Sequence, residues 1–459
     1  MKGRKDKSKN NISWLIYLYS CVVIFAAFVI KIISIFSPFW KKQLEGRDID
    51  RAWIEGLERK RRSVRHAVLF FCSSAGEFEQ AHPMIDRLLE RGDVMVQVLF
   101  FSRSGFGFAE ARKEKVPYRL CPIDTVWHWK KIFSVLAPEA AIVVRHEYWP
   151  AFVAVAKTCS RLLLVDGTAS RTFGRWSLAR FVKSRLLNQF ERLFLVDKPD
   201  LDYFESTLSL SPRKLTVVGD TKYDRVFERS RQEQKAAEDM VTLFERTASN
   251  MHRLVIGSAW HPDIEGALDA FRSLKMQRES SEKNHFAKDW QVVIASHDVS
   301  RSMIEWIKDA CEKRGLSWIK LSSLSSETRM TSRNGFNKPS EPPAVIIIDI
   351  MGKLAEIYGV GNLAIVGGAM HNKVHNVLEP ACRGLPIAFG PLHKNSREAS
   401  LLVEKGLATV VTSANDIEVW WRQKALIAQT KDQSLLDHIH NQCGAATAIT
   451  EYLKESLKD

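Results

Sequence analysis

The fold is decided by the stretch Ile365–Pro391, IVGGAMHNKVHNVLEPACRGLPIAFGP. The apolar run Leu363 to Val366 reads as a buried strand and breaks at Gly367-Gly368, where the missing Cβ lets backbone approach a ligand closely. A helix is expected to restart near His375-Asn376, with Glu379 about one turn in, before a second strand, Pro386 to Phe389, ends at Gly390-Pro391. This order makes a βαβ unit whose helix N-terminus faces the strand's carboxyl end, the geometry of an anion site. A carboxylate one turn into the helix reaches a ribose hydroxyl while free amides hold a phosphate. A glycine pair alone reads as an ordinary turn; GG, HN and L-E-P in this order point to a nucleotide-sugar site.

Outward from this unit, strand and helix patterns alternate. Short buried strands are predicted at Ala67–Cys72, Val94–Phe101, Ala140–Val144, Leu162–Val165, Leu193–Val196 and Leu215–Val218. Glu77 opens a helix after the turn Ser73–Gly76, and Ser102 to Gly107 reads as a loop. A second series follows at Leu254–Ile256, Val292–Ala295, Trp318–Leu321, Ala344–Ile348, Leu363–Val366 and Pro386–Phe389. Such alternation predicts an α/β chain with two tandem doubly wound parallel sheets, Rossmann-like, with a cleft between facing carboxyl ends of strands. The expected segments are 1–40, an apolar membrane anchor; 41–66, a basic juxtamembrane stretch; 67–230, a first domain; 231–251, a charged linker; 252–433, a second domain; and 434–459, a terminal helix. Ser322 to Pro343, rich in Ser, Thr, Asn and Pro, reads as a mobile surface loop.

The chain has 459 residues, 45% of them hydrophobic, enough for two cores. Its net charge of +14, from 67 Lys+Arg against 53 Asp+Glu, suggests an anionic partner. Seven cysteines without a CxxC pair read as reduced and cytosolic, with no zinc site. Ile12 to Ile30 carries no charge and is long enough to cross a bilayer, with Trp14, Tyr17 and Tyr19 placed as an aromatic belt. Basic residues flank it on both sides, the larger cluster running from Lys41 to Arg65. That bias favours a cytoplasmic body, with the short tail either exported or the segment dipping into one leaflet. The same cluster suits anionic headgroups at about 1 kcal/mol per residue near the surface. A membrane segment beside nucleotide-sugar motifs disfavours a nucleic-acid partner.

Six stretches, in order, resemble the 3-deoxy-D-manno-octulosonic acid (Kdo) transferase family: Ser74-Ala75-Gly76-Glu77 with Glu79 and Pro83; Arg145-His146-Glu147-Tyr148-Trp149-Pro150; Gly219–Asp224; Ala259–Glu265; Asp349-Ile350-Met351-Gly352-Lys353-Leu354; and Lys373–Pro380. The resemblance covers about Ala67 to Leu407 and the apolar amino terminus. It implies a GT-B fold and an inverting, metal-independent transfer of Kdo from CMP-Kdo to lipid A precursor at the cytoplasmic face of the inner membrane, among its phospholipids, with no cofactor. Arg145 stands where the family has Glu, Ser296 where it has Arg, and Lys373 and Val374 where it has two glycines. These departures mark a divergent member, for which another nucleotide sugar or a noncatalytic lipid-binding role is the alternative.

The resemblance assigns Glu77 as the general base for the acceptor hydroxyl, its pKa expected to be lowered by the helix dipole. Read against a plain helix-terminal carboxylate, position and resemblance together favour the base. Glu147, Arg171 and Lys222 are acceptor-side candidates, the two cations otherwise a solvated basic face. His261 and His297 follow second-domain strands and suit a donor phosphate or sugar acid, or are loop histidines. Met351, Gly352 and Leu354 line a cytosine slot or simply pack a helix start. Gly367, Gly368, His375 and Asn376 hold the phosphate, and Glu379 the ribose. The number of Kdo residues, the acceptor's acyl pattern and the oligomeric state are left open.

Overall fold

A computed structural model describes residues 12–169, 177–247, 251–279, 290–324, 342–425, 430–455 and 457. The chain divides into two compact units, Met1–Arg225 with Gln442–Asp459, and Val226–Asn441. Each is built on a seven-stranded sheet in which every adjacent pair is parallel.

The first sheet holds β1 (His66–Cys72), β2 (Val94–Phe100), β3 (Tyr118–Leu120), β4 (Ala140–Val144), β5 (Arg161–Gly167), β6 (Arg192–Leu195) and β7 (Leu215–Val217), in the order β3-β2-β1-β4-β5-β6-β7. The second holds β8 (His252–Ala259), β9 (Trp290–Ser296), β10 (Trp318–Lys320), β11 (Val345–Ile347), β12 (Leu363–Val366), β13 (Ile387–Phe389) and β14 (Ala408–Val410), in the order β10-β11-β9-β8-β12-β13-β14. The central strands are apolar along their whole length because helices cover both faces; β1, β4 and β12 are buried at every residue. Two doubly wound parallel sheets are thus what the strand pattern predicted. The edge strands β3 and β14 escaped it: each has three residues, interrupted by Arg119 and Thr409 and partly exposed.

Each sheet reverses its winding once. Chain order runs outward from β1 to β3 on one side and from β4 to β7 on the other; in the second sheet the reversal falls between β8 and β12. At such a point the loops after two neighbouring strands diverge and leave a crevice. Glu77, Glu147, His261 and the stretch from Gly367 to Glu379 follow β1, β4, β8 and β12, whereas Lys222, His297 and Met351 follow β7, β9 and β11.

Several boundaries differ from the sequence reading. Residues 231–251 are no bare linker: helix Gln234–Thr247 belongs to the second unit and buries Met240 and Phe244 in its core. Its charges occupy one face only, which composition alone does not reveal. The terminal segment is two helices, Gln433–Gln442 and Ala445–Lys454, broken at Gly444 with φ +121°. The second returns to the first unit, where Ala446, Ile449 and Leu453 join the core and the Asp224 carboxylate accepts the amides of Gly444 at 2.8 Å and Ala446 at 3.2 Å. Ser102 caps a helix, Arg103–Ala111, where a loop was expected. Most of Ser322–Pro343 lies outside the described residues, as does Arg171.

At the amino end, α1 (Trp14–Phe36) is a helix long and apolar enough to cross a membrane. One side carries exposed Phe25, Phe28, Ile35 and Phe36; at its start Ile16, Tyr17 and Tyr19 pack on the body. Beyond it lie α2 (Pro38–Leu44) and α3 (Arg51–Arg62). The basic stretch is partly committed to the fold. Arg47 donates to the Phe101 and Cys121 carbonyls, Arg61 to that of Leu136, and Arg51 and Arg62 pair with Glu55 and Glu58.

Gly367 shows how tightly the second unit closes. A Cβ there would lie 2.6 Å from the Ser258 oxygen and 2.7 Å from Ala259 Cα, both backbone that cannot swing aside. Gly367→Ala should therefore destabilise the second unit by about 1–3 kcal/mol, read as an earlier urea transition for that unit. An unchanged midpoint would show that the β8 and β12 ends separate freely.

Candidate active site

In the first unit the site begins where β1 ends. Ser73-Ser74 turns the chain into α4 (Ala75–Leu89), and Ser74 and Glu77 form a reciprocal capping box. The Glu77 carboxylate accepts the amides of Ser73 and, at 3.2 Å, Ser74. It is half-buried. Loss of solvation, with the Glu147 charge adding to it, outweighs those two amides and the Arg145 charge and raises its pKa to about 7. The expected dipole-lowered acid is corrected: desolvation of this carboxylate exceeds what helix-terminal amides return. A base poised near neutral pH is well matched to proton abstraction.

Across the winding reversal, the loop after β4 carries Arg145-His146-Glu147-Tyr148-Trp149. Arg145 sits at φ +65°, and its guanidinium meets Asp220 at 2.9 Å. Asp220 also accepts from Gln80 at 2.8 Å and from the Lys222 amide at 2.9 Å. Buried Asp166, near the end of β5, accepts from the Thr221 amide and hydroxyl; burial and then the Asp220 charge push its pKa up. It thus fixes the start of the helix Thr221–Gln232, which presents Lys222. Glu147 accepts the Trp149 indole N–H, and Tyr148 donates its hydroxyl to the Arg145 carbonyl at 2.6 Å. Glu79 is committed elsewhere: although burial opposes ionisation, Arg225 at 2.9 Å and Arg112 at 2.6 Å hold its pKa down.

Sequence reasoning passed over Lys183 and His146. Lys183 is buried, with its ammonium 5.3 Å from the Tyr203 ring centre and 5.9 Å from that of Tyr148, and burial lowers its pKa. His146 is exposed on this loop; desolvation by the surrounding protein, with Arg145 and Lys183, lowers its pKa to about 4, so the ring is neutral. A lone lysine in a polar helix carries no sequence signal of burial.

In the second unit the loops after β8, β9 and β12 bring together Trp260, His297, His371 and His375. Trp260 and His297 stack at 4.7 Å, His297 and His375 stack at 4.7 Å, and His371 lies 5.1 Å from Trp260. The Trp260 indole donates to His375 Nε2 at 3.3 Å, which puts the His375 proton on Nδ1. Burial, then His297, Lys373 and His371, lowers the His375 pKa. Buried Asp263 pins the loops together by accepting the amides of Trp260 and Gly368, each at 2.9 Å. Trp260, His371 and Asp263 were missed as site residues, although Trp260 and Asp263 stand inside a quoted motif. Their neighbours are distant in sequence.

Three expectations change here. The helix after Gly367-Gly368 runs only from Leu378 to Ala381, so Glu379 is its second residue rather than one turn in. The amides of Gly367, Gly368 and His375 are bonded within the protein to Gly257, Asp263 and Gly367. The Cβ-free space at Gly367 and Gly368 is filled by Ser258, Ala259 and the Lys373 carbonyl rather than left for a ligand. Side chains therefore remain for anion contact. Asn376 donates to Glu379 at 3.1 Å and accepts the Leu378 amide at 3.2 Å.

The other candidates scatter. His261 is exposed and packs edge-on against Trp306 at 4.2 Å. Met351 is 67% exposed beside Gly352 at φ +78°, whereas Leu354 packs on the second core. Ser296 donates to the Asp298 carbonyl at 2.7 Å. Among the described residues no cluster of three or more His, Cys, Asp or Glu could hold a metal ion.

Comparison with known proteins adds an independent line. The family model of 3-deoxy-D-manno-octulosonic-acid transferase (kdotransferase) matches residues 51–225. A bifunctional glycosyltransferase/methyltransferase of Fusobacterium nucleatum is 23% identical over 333 residues, covering 71% of this chain and 47% of its own. This chain thus spans about half of that relative's length. A 3-deoxy-D-manno-octulosonic acid transferase of Rickettsia felis is 21% identical over 393 residues, 82% of this chain and 78% of its own. In structure, a glycosyltransferase from Rickettsia africae superposes with a TM-score of 0.52 at 11% identity, covering 86% of this chain and 99% of that one. At that identity the likeness speaks for the fold, which is GT-B.

The raised Glu77 pKa has two consequences of defined sign. Activity that needs the ionised base should rise with pH through about 7, and Glu77→Gln should abolish it. Because the folded state holds this proton more tightly than the unfolded chain, stability should fall as pH rises between the ordinary carboxylate range and about 7. Glu77→Gln should flatten that part of the stability profile. A rate profile already level below pH 6 would remove Glu77 as the base.

Proposed function

We propose that this chain, a divergent member of the Kdo transferase family, is an inverting glycosyltransferase that moves Kdo from CMP-Kdo to a lipid A precursor. The observation that carries this reading is a half-buried carboxylate with a pKa raised to about 7 at the winding reversal of the sheet that the family model covers. The ionised Glu77 oxygen takes the proton from an acceptor hydroxyl. The acceptor oxygen bonds the anomeric carbon of Kdo as that carbon's bond to the phosphate oxygen breaks, and CMP leaves with the electron pair. Glu147, Lys222 and Arg171 serve the acceptor or the sugar acid.

The second unit serves the donor. His375, Asn376 and Lys373 are the phosphate ligands, with His297 and Trp260 stacked behind His375. Its deprotonated, desolvated ring presents an Nδ1–H donor without carrying charge. Glu379 accepts a ribose hydroxyl, and Met351-Gly352 offer exposed backbone to the base. His261, Leu354 and the glycine pair act at one remove, by packing. CMP leaves as a phosphate monoester, so dipoles and side chains suffice for its charge. Helix α1 supports membrane association, with the body on the cytoplasmic face of the inner membrane, where phospholipids surround the acceptor.

A second reading keeps the fold and base and changes the donor. Val374 is buried where the family has glycine, and Ser296 supplies no cation. Purified protein offered tetraacylated lipid A precursor with CMP-Kdo should give a Kdo-bearing product by mass spectrometry. Transfer only from a different nucleotide sugar would select the second reading. Glu379→Ala should weaken CMP binding by about 0.5–1.5 kcal/mol in calorimetry. Unchanged CMP affinity would remove Glu379 from the ribose.

A further inference from the structure

Within the first unit, α1, α2 and the carboxyl ends of β1 and β2 enclose a cavity of about 380 Å³. That size lies in the range of small-ligand pockets. One face of α1 lines it, through Ala26, Ala27 and Ile30; Trp40 comes from α2, and Phe101 and Trp149 from the body. Two charged groups also border it, and both are satisfied internally. Arg47 donates to the Gln43, Phe101 and Cys121 carbonyls. Asp124 accepts from the Trp129 indole at 2.7 Å and from the amides of Ala151 and Phe152. Tyr19 and Gln43 are the other polar side chains on the lining; the rest of it is apolar, which suits a hydrocarbon occupant.

The opposite side of α1 exposes Phe25 and Phe28, as a lipid-facing surface does. The cavity therefore lies on the protein side of a membrane-length helix. Its inner wall adjoins the Glu77 cradle. The Phe101 amide donates to the Cys72 carbonyl at 3.0 Å, and the next amide, Ser102, to the Ser73 carbonyl at 2.9 Å; the amide of that same Ser73 holds the Glu77 carboxylate. Phe101 and Trp149 lie ring to ring at 4.8 Å, and the Trp149 indole holds Glu147. From these contacts we infer that the cavity takes one acyl chain of the lipid acceptor, so that α1 is a wall of the acceptor site and not only an anchor. The inference rests on the proposed lipid acceptor. Tail in the cavity and sugar hydroxyl at Glu77 would set the head at a fixed depth, and Ala26 and Ala27 leave the room for the chain.

Photolabelling reads the cavity without requiring turnover. Tetraacylated acceptor carrying a diazirine at the end of one acyl chain is mixed with the full-length protein in vesicles, and labelled peptides are mapped by mass spectrometry. Label should fall on the Ala26–Ile30 segment and on Phe101 or Trp149, and Ala27→Trp should remove it from the body residues. Label confined to the Phe25 and Phe28 side, or unaltered by Ala27→Trp, overturns the inference. So does equal labelling of the cavity by a phosphatidylethanolamine bearing the same diazirine, since the occupant would then be bulk lipid. In turnover, Ala27→Trp should lower the ratio of kcat/KM for the acylated acceptor to that for a deacylated acceptor by about tenfold, equivalent to about 1.4 kcal/mol, while Ala27→Ser keeps the ratio. An unchanged ratio in Ala27→Trp overturns the inference. Absence of any Kdo transfer by the wild type would defeat the proposed function and leave the labelling result to decide the cavity.

Discussion

Parallel strands cannot be joined by a tight turn, and the rest of this structure follows from that constraint. Every connection must cross back over a face of the sheet, which covers both faces and buries the strands as continuous apolar runs. All loops after the strands then gather at one edge, and the single reversal of winding parts two of them. In the first sheet those are the loops after β1 and β4, with Glu77 and Glu147. In the second they are the loops after β8 and β12, with Trp260 and His375. The candidate residues sit where the topology parts these loops.

Burial sets the character of the first site. A carboxylate held by two amides would ordinarily be a stronger acid, yet enclosure and a second carboxylate reverse the sign for Glu77. Arg145 places a guanidinium in the field of Glu77 while Asp220 holds it. Gln80, Asp166 and Thr221 complete that support through hydrogen bonds. The guanidinium therefore comes with an acid partner of its own.

The second site is organised differently. Its glycines serve packing of one loop against another, and its amides are largely bonded inside the protein. A ring stack, Trp260 on His297 on His375, and the buried Asp263 carboxylate hold the loop after β12 in place. With only four residues in the helix that follows, the dipole is small. Val374 is buried beside it.

Two parallel sheets and the strand ends were legible in the sequence, because apolar runs and small-residue breaks report local backbone choices; the same signals are what made Glu77, His375, Asn376 and Glu379 candidates. The length of α1 was also legible, from the uncharged run Ile12 to Ile30 at its start. The three-residue strands β3 and β14 were not, being too short and too polar to show a pattern. Helix Gln234–Thr247 looked like a linker because charge composition hides which face is buried. The sign of the Glu77 pKa shift, the Arg145–Asp220 pair, the ring stack and the cavity beside α1 were decided only by the tertiary structure. Each depends on groups brought together from distant parts of the chain, and both desolvation and charge coupling act through space, where sequence separation sets no distance.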